Sequence, residues 1–172
     1  MISSKLKQYF INKKVRKKLT SSASVDQQIK NKKIHSVGII TNERYFQSYD
    51  LQSLVTEALG LRNPKIFSIR KFEKNQEISH KHFTEKDINW KAEIVNPGLE
   101  NFVNESFDLL ICYYTKSNMH LDYIATLSNA SFKVGFTELQ SQLFDLEIAV
   151  QPDQVHSFFS ETKKYLSVLK KL

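Results

Sequence analysis

The chain has 172 residues, with 25 Lys+Arg against 18 Asp+Glu, a net charge of +7 and a pI near 9.4. Its composition, 41% hydrophobic and 25% charged, is that of a folded domain and excludes a disordered or fibrous chain. One cysteine excludes an internal disulfide framework and a multi-thiolate zinc site, and no apolar run approaches the ~18 residues of a membrane-spanning helix.

The positive charge belongs to one end. Residues 1–33 hold ten of the 25 basic residues but only one of the 18 acids, Asp26, and so carry +9; residues 34–172 carry −2. A basic face covering the whole molecule, the usual footprint of a nucleic-acid-binding fold, is therefore not what the composition describes. Within the segment, residues 3–19 (SSKLKQYFINKKVRKKL) contain no Pro or Gly and predict a helix that Ser3 or Ser4 can cap. Ile2, Leu6, Tyr9 and Phe10 fall on one side of that helix, and Ile11, Val15 and Leu19 on another. Two readings follow. In one, the aromatic turn docks on the body and the lysines stay solvated. In the other, Lys5, Lys7, Lys13, Lys14, Arg16, Lys17 and Lys18 contact an anionic partner, either nucleic acid or a membrane surface. A secretory signal is not indicated, because no apolar core region is present. Thr20–Gln28 is small and polar and reads as a linker, which divides the chain into a basic helical arm over residues 1–33 and one domain over residues 34–172.

The body alternates between strands and helices. Ile34–Asn42 (IHSVGIITN) predicts a strand buried on both faces. A helix follows over Ser48–Leu59, with Gly60 placed to stop it. Lys65–Lys71 reads as the next strand, giving a β–α–β unit of the right-handed crossover kind. Phe72–Pro97 is polar and charged; it predicts an irregular excursion with a short strand near Ala92–Val95, and its aromatic residues suggest a possible homo-oligomer interface. Then come a short helix (Leu99–Asn104), a strand (Phe107–Tyr114), a helix (Asn118–Ser128), two strands (Phe132–Phe136 and Asp145–Val150) and a last helix from Pro152 to about Lys171. This order implies an α/β fold: a Rossmann-like three-layer domain with a mostly parallel sheet, preceded by the basic N-terminal helical arm.

Ligands of such sheets bind beyond the carboxyl ends of the strands. The loop after the first strand, Thr41-Asn42-Glu43-Arg44-Tyr45, has no glycine, and Gly38, Gly60, Gly98 and Gly135 never form GxGxxG or GxxxxGK[ST]. Dinucleotide and P-loop binding are not expected, and no cofactor is implied. Thr41, Asn42, Thr115 and Asn118 can meet at the top of the sheet and are the candidate small-ligand residues, although capping of the following helix by Ser117 or Asn118 is the simpler reading of that loop. His80 and His82 lack a third ligand and read as exposed loop histidines, so no metal site is expected. Cys112 lies in mid-strand and reads as a small core residue. No catalytic residue is assigned.

Phe107–Tyr114 followed by Ile124–Gly135 (FDLLICYY and IATLSNASFKVG) resembles the N-terminal half of heptosyltransferase-type glycosyltransferases. Their second, sugar-nucleotide-binding domain has no counterpart in this chain, so the resemblance implies the Rossmann-like fold and not the activity. The whole chain, including the basic start and the terminal DLEIAV strand and helix, is similar to a small bacterial family of unknown function, which implies the same fold. The resulting expectation is a cytoplasmic, non-catalytic binding protein whose arm contacts RNA, a ribosome or a membrane face. The alternative is a small transferase- or hydrolase-like enzyme working at the carboxyl edge of the sheet.

Overall fold

The computed structural model describes residues 2–22, 32–75, 79–139 and 141–172. Asp26, Lys30 and most of the expected linker lie outside the described residues. The elements are α1 (Ile2–Ser22), β1 (Val37–Asn42), α2 (Glu43–Ser48), α3 (Leu51–Leu59), β2 (Lys65–Ile69), β3 (His82–Phe83), α4 (Pro97–Asn104), β4 (Leu109–Tyr113), α5 (Met119–Leu127), β5 (Phe132–Phe136), β6 (Leu146–Ile148) and α6 (Val155–Val168). All six strands are parallel, in the order β3-β2-β1-β4-β5-β6. Sequential crossovers run one way from β1 and the other way from β4, which is the doubly wound Rossmann-like arrangement.

The two faces of the sheet can be separated by the alternation of side chains along the strands. Thr41 is in register with Tyr113, and the Tyr113 ring meets Phe158 and Phe159 of α6; α3 packs beside α6 on this face. Gly38, three residues before Thr41, turns to the opposite face. A Cβ on Gly38 would lie 2.8 Å from the Phe107 ring and 3.1 Å from Phe102 of α4. There α4 packs against α5, and α1 lies over α5. Apart from Asn42 at the end of β1, the central strands are buried, as expected of parallel strands covered on both faces.

Asp108 ties the entries of β1 and β4 together. Its Oδ2 accepts from the His35 and Ser36 amides and from the Ser36 hydroxyl, and its Oδ1 pairs with Lys32 Nζ at 2.9 Å. Gly60 ends α3 in the left-handed conformation at φ 70°.

Several expectations need correction. The arm helix continues past Leu19 to Ser22, with the Thr20 hydroxyl donating to the Arg16 carbonyl, so Thr20 belongs to the helix and not to a linker. Glu43–Tyr45, expected as loop, open the short helix α2, because Asn42 caps it directly at the end of β1, and Ser48 closes α2 while α3 starts only at Leu51. No strand forms at 92–95; Ile88 and Ile94 make one isolated antiparallel bridge, and β3 arises instead at His82–Phe83. The last helix begins at Val155, after a turn that includes Pro152.

Candidate functional site

Strand order reverses between β1 and β4, so the carboxyl ends of these strands define the crevice where a ligand would sit. The structure brings Thr41, Asn42 and Thr115 into this region and engages each of them locally. Buried Thr41 donates from Oγ1 to the Tyr113 carbonyl at 2.7 Å, stitching β1 to β4. Asn42 accepts from the Tyr45 amide at 3.0 Å. Thr115 Oγ1 shares a hydrogen bond with Tyr45 Oη at 3.2 Å, so β1 and β4 meet through α2. Asn118 caps α5, accepting from the amides of His120 and Leu121.

The crevice is occupied by aromatic side chains. Tyr113 is enclosed by the rings of Tyr45, Tyr49, Phe136, Phe158 and Phe159, and donates from Oη to the Pro152 carbonyl at 3.0 Å. Burial pushes its phenol well above the ordinary range. On the opposite face, Asp122 of α5 accepts from Tyr114 Oη at 2.9 Å and from Ser117 Oγ at 2.6 Å. Burial raises the Asp122 pKa, and these two hydroxyls offset part of the rise. The Cys112 thiol is buried in β4 and pushed far up by that burial, which removes it as a nucleophile.

At the other side of the carboxyl edge, His82 is not an exposed loop histidine. It stands on β3 in register with Ser68, whose hydroxyl shares a hydrogen bond with its Nδ1 at 2.5 Å, while Phe46 meets the imidazole edge-to-face. Burial lowers the His82 pKa, with Arg70 and Lys81 acting in the same direction. His80 is exposed. A groove of about 330 Å³ opens alongside, lined by Phe46–Gln52, Ile66 and Lys81. Among the described residues, no three His, Cys, Asp or Glu side chains are grouped to hold a metal, and no helix is long and apolar enough to cross a membrane.

The second candidate surface is α1. This helix is docked: of its aromatic turn Phe10 packs against the core while Tyr9 stays exposed, and Ile11 and Val15 extend the contact. Ile11 is 1% exposed and Val15 packs against the core. Lys7 donates to the Glu85 carbonyl, and Lys14 donates to the Ala92 carbonyl at 2.6 Å. Lys18 is half-buried near Lys133 of β5, whose ammonium is held below its usual pKa chiefly by burial, with Lys18 adding to the effect. Three of the seven candidate cations therefore lie on the body side.

Lys5, Lys13, Arg16 and Lys17 point to solvent. They follow one another at helical spacing with Tyr9, 60% exposed, and Leu6, 42% exposed, between them. At ~1.5 Å per residue this row runs about 18 Å. No acid occurs between Ile2 and Ser22. The signal for this division was present in the chain: positions 7, 11, 14, 15 and 18 form one side, and 5, 9, 13 and 16 the other.

Among the described residues of the 72–97 excursion, expected to be exposed, a part packs inward and Glu85, Trp90 and Ala92 meet α1. Phe83, Ile88 and Ala92 are buried, and Trp90 meets Phe10 edge-to-face at 6.1 Å. Sequence reasoning had no means of joining Trp90 to Phe10, eighty positions away.

The fold and its two surfaces define a parallel, doubly wound α/β domain that carries a docked basic helix. The chain belongs to a family of unknown function, DUF6913, whose model matches residues 7–169 and so takes in most of α1 together with the body. No curated protein and no solved structure matches the chain. The resemblance of residues 107–135 to heptosyltransferase-type enzymes gains nothing from these comparisons, and no activity is taken from it.

Proposed function

We propose that this is a cytoplasmic binding protein that uses the outer face of α1 to hold an anionic macromolecule. The observation that carries this reading is the division of cations on one helix. Lys7 and Lys14 are engaged with carbonyls of the body, whereas Lys5, Lys13, Arg16 and Lys17 face solvent on a helix without acids. Docking fixes the exposed row in place, so binding does not have to order a free arm. The slightly acidic body is repelled by the same partner, which orients the molecule on it.

Deleting the arm is a poor test, because the deletion also uncovers the surface beneath Ile11. The cleaner variant is K5E/K13E/K17E, whose three positions are exposed. The wild-type chain is expected to be retained on a heparin column and released by moderate salt, and the folded variant to pass through. Equal retention of the two would refute the reading.

A second reading is a small transferase- or hydrolase-like enzyme using Thr41, Asn42, Thr115 and Asn118. The Tyr45–Thr115 contact at the strand-order switch favours it, since it brings two hydroxyls to the position where such folds hold ligands. A thermal-shift screen with nucleotide sugars and phosphorylated metabolites tests it, because a ligand raises the melting temperature by mass action. Self-association through the 72–97 excursion is a separate proposal, for which light scattering showing a monomer would be the contrary result.

A further inference from the structure

We infer that the partner of this face is single-stranded nucleic acid, read jointly by α1 and the 84–95 excursion, with Tyr9 and Trp90 as stacking platforms. This rests on the anionic-partner reading above and adds to it the class of partner and a second contact element.

The geometry is a chain of aromatic rings set among cations. Tyr9 meets Phe10 at 5.6 Å between centroids, and Phe10 meets Trp90 at 6.1 Å, both edge-to-face. The outer two rings of this chain are the exposed ones, Tyr9 at 60% and Trp90 at 46%. Lys91 Nζ stands 5.2 Å from the Trp90 ring centroid, and Lys5, Lys13, Arg16 and Lys17 flank Tyr9 along the helix. The excursion is held against the helix by the Lys14–Ala92 and Lys7–Glu85 hydrogen bonds, so Trp90 keeps a fixed place beside α1. The excursion also carries acids: exposed Glu93 accepts from the Asn89 side-chain amide, and Glu85 and Asp87 lie close enough to act on the Lys7 ammonium.

Alternation of cation and exposed ring is what a single strand requires, since its phosphates and unpaired bases alternate in the same way. A duplex keeps its bases stacked internally and would leave both rings unused. A membrane surface fits less well. A helix lying in a lipid interface buries its apolar face in the lipid, whereas here Ile11 and Val15 face the protein and the outer face is cationic.

Trp90 is the only tryptophan in the chain, so its emission reports directly on this site. The experiment titrates the intact protein with an oligouridylate, with a duplex of mixed sequence, and with phosphatidylcholine vesicles containing phosphatidylserine. The expected result is quenching of Trp90 by the oligouridylate and weaker binding of the duplex. Tyr9→Ala and Trp90→Ala, measured by anisotropy of a labelled oligouridylate, are each expected to weaken binding by about tenfold. Trp90→Phe should restore most of the affinity, which a general loss of folding would not permit.

Oligouridylate binding that is lost in K5E/K13E/K17E but unchanged in Tyr9→Ala and Trp90→Ala would overturn the stacking inference and leave the anionic-partner reading standing. A blue shift of Trp90 with vesicles, and no response to the oligouridylate, would overturn it in favour of a membrane. Binding that K5E/K13E/K17E does not alter would remove both readings.

Discussion

Lys14 donates its ammonium to the backbone carbonyl of Ala92 at 2.6 Å, across seventy-eight positions of sequence. The same carbonyl accepts from Tyr123 Oη of α5, also at 2.6 Å, so one oxygen joins the basic helix, the excursion and the body. With Ile11 buried beneath the helix, α1 is part of the folded structure. Ile11→Ala is therefore expected to lower the unfolding free energy by about 2–4 kcal/mol in urea titration, through lost burial and the cavity left behind. Lys13→Glu, two positions away on the exposed side, should change it by less than about 0.5 kcal/mol. Equal effects of the two substitutions would mean that the helix is not docked in this way.

Gly38 is needed for space. An added methyl would meet the Phe107 ring at 2.8 and 2.9 Å and the Phe102 ring at 3.1 Å. Gly38→Ala is expected to cost about 1–3 kcal/mol by overpacking, read as a fall in melting temperature. A neutral result would place Phe107 away from β1.

Asp108 and Asp122 should move stability with pH in opposite directions. Burial pushes the Asp108 pKa up, but the Lys32 ion pair and the donors from His35 and Ser36 outweigh it and hold the carboxyl below its usual range. Its contribution is fully present above the unfolded value of about 3.9 and is lost as pH falls through the lower folded value. Asp108→Asn is expected to cost about 1–3 kcal/mol at neutral pH, since Lys32 itself is largely exposed and screened, and to flatten the acid limb of the stability curve.

For Asp122, burial dominates and the folded pKa is raised. Its contribution is then fully present below the unfolded value of about 3.9 and is lost as pH rises through the higher folded value. Asp122→Asn keeps an acceptor for Tyr114 Oη and removes the buried charge, so it should be close to neutral, or stabilising, at neutral pH. A large loss of stability at neutral pH, by urea titration, would show that the carboxylate is favourably paired as an anion.

The sequence showed most of the sheet and little of the candidate surface. β1, β4 and β5 were legible because parallel strands buried on both faces read as continuous apolar runs, and the stop of α3 because Gly60 sits where a left-handed residue is required. β3 was not, since two residues are too few to show a period, and its partner Ser68 lies fourteen positions away. α2 has a cap but only six residues, and it reads as a polar loop. Local chemistry offered Ser117 or Asn118 as the cap of α5, and Asn118 is the one that caps it. Helical spacing divides α1 into two sides, but only the packing of Phe10, Ile11 and Val15 shows which of them turns inward.

The most direct test of the central claim, that the docked helix presents a fixed row of cations to an anionic partner, is the salt dependence of oligouridylate affinity for the intact protein. For a single strand the slope of log K against log salt is about −0.7 for each phosphate neutralised. The wild-type chain is expected to show a steep slope, and K13E/R16E/K17E, folded to the same stability, a slope shallower by about 2. Identical slopes for the two proteins would contradict the account.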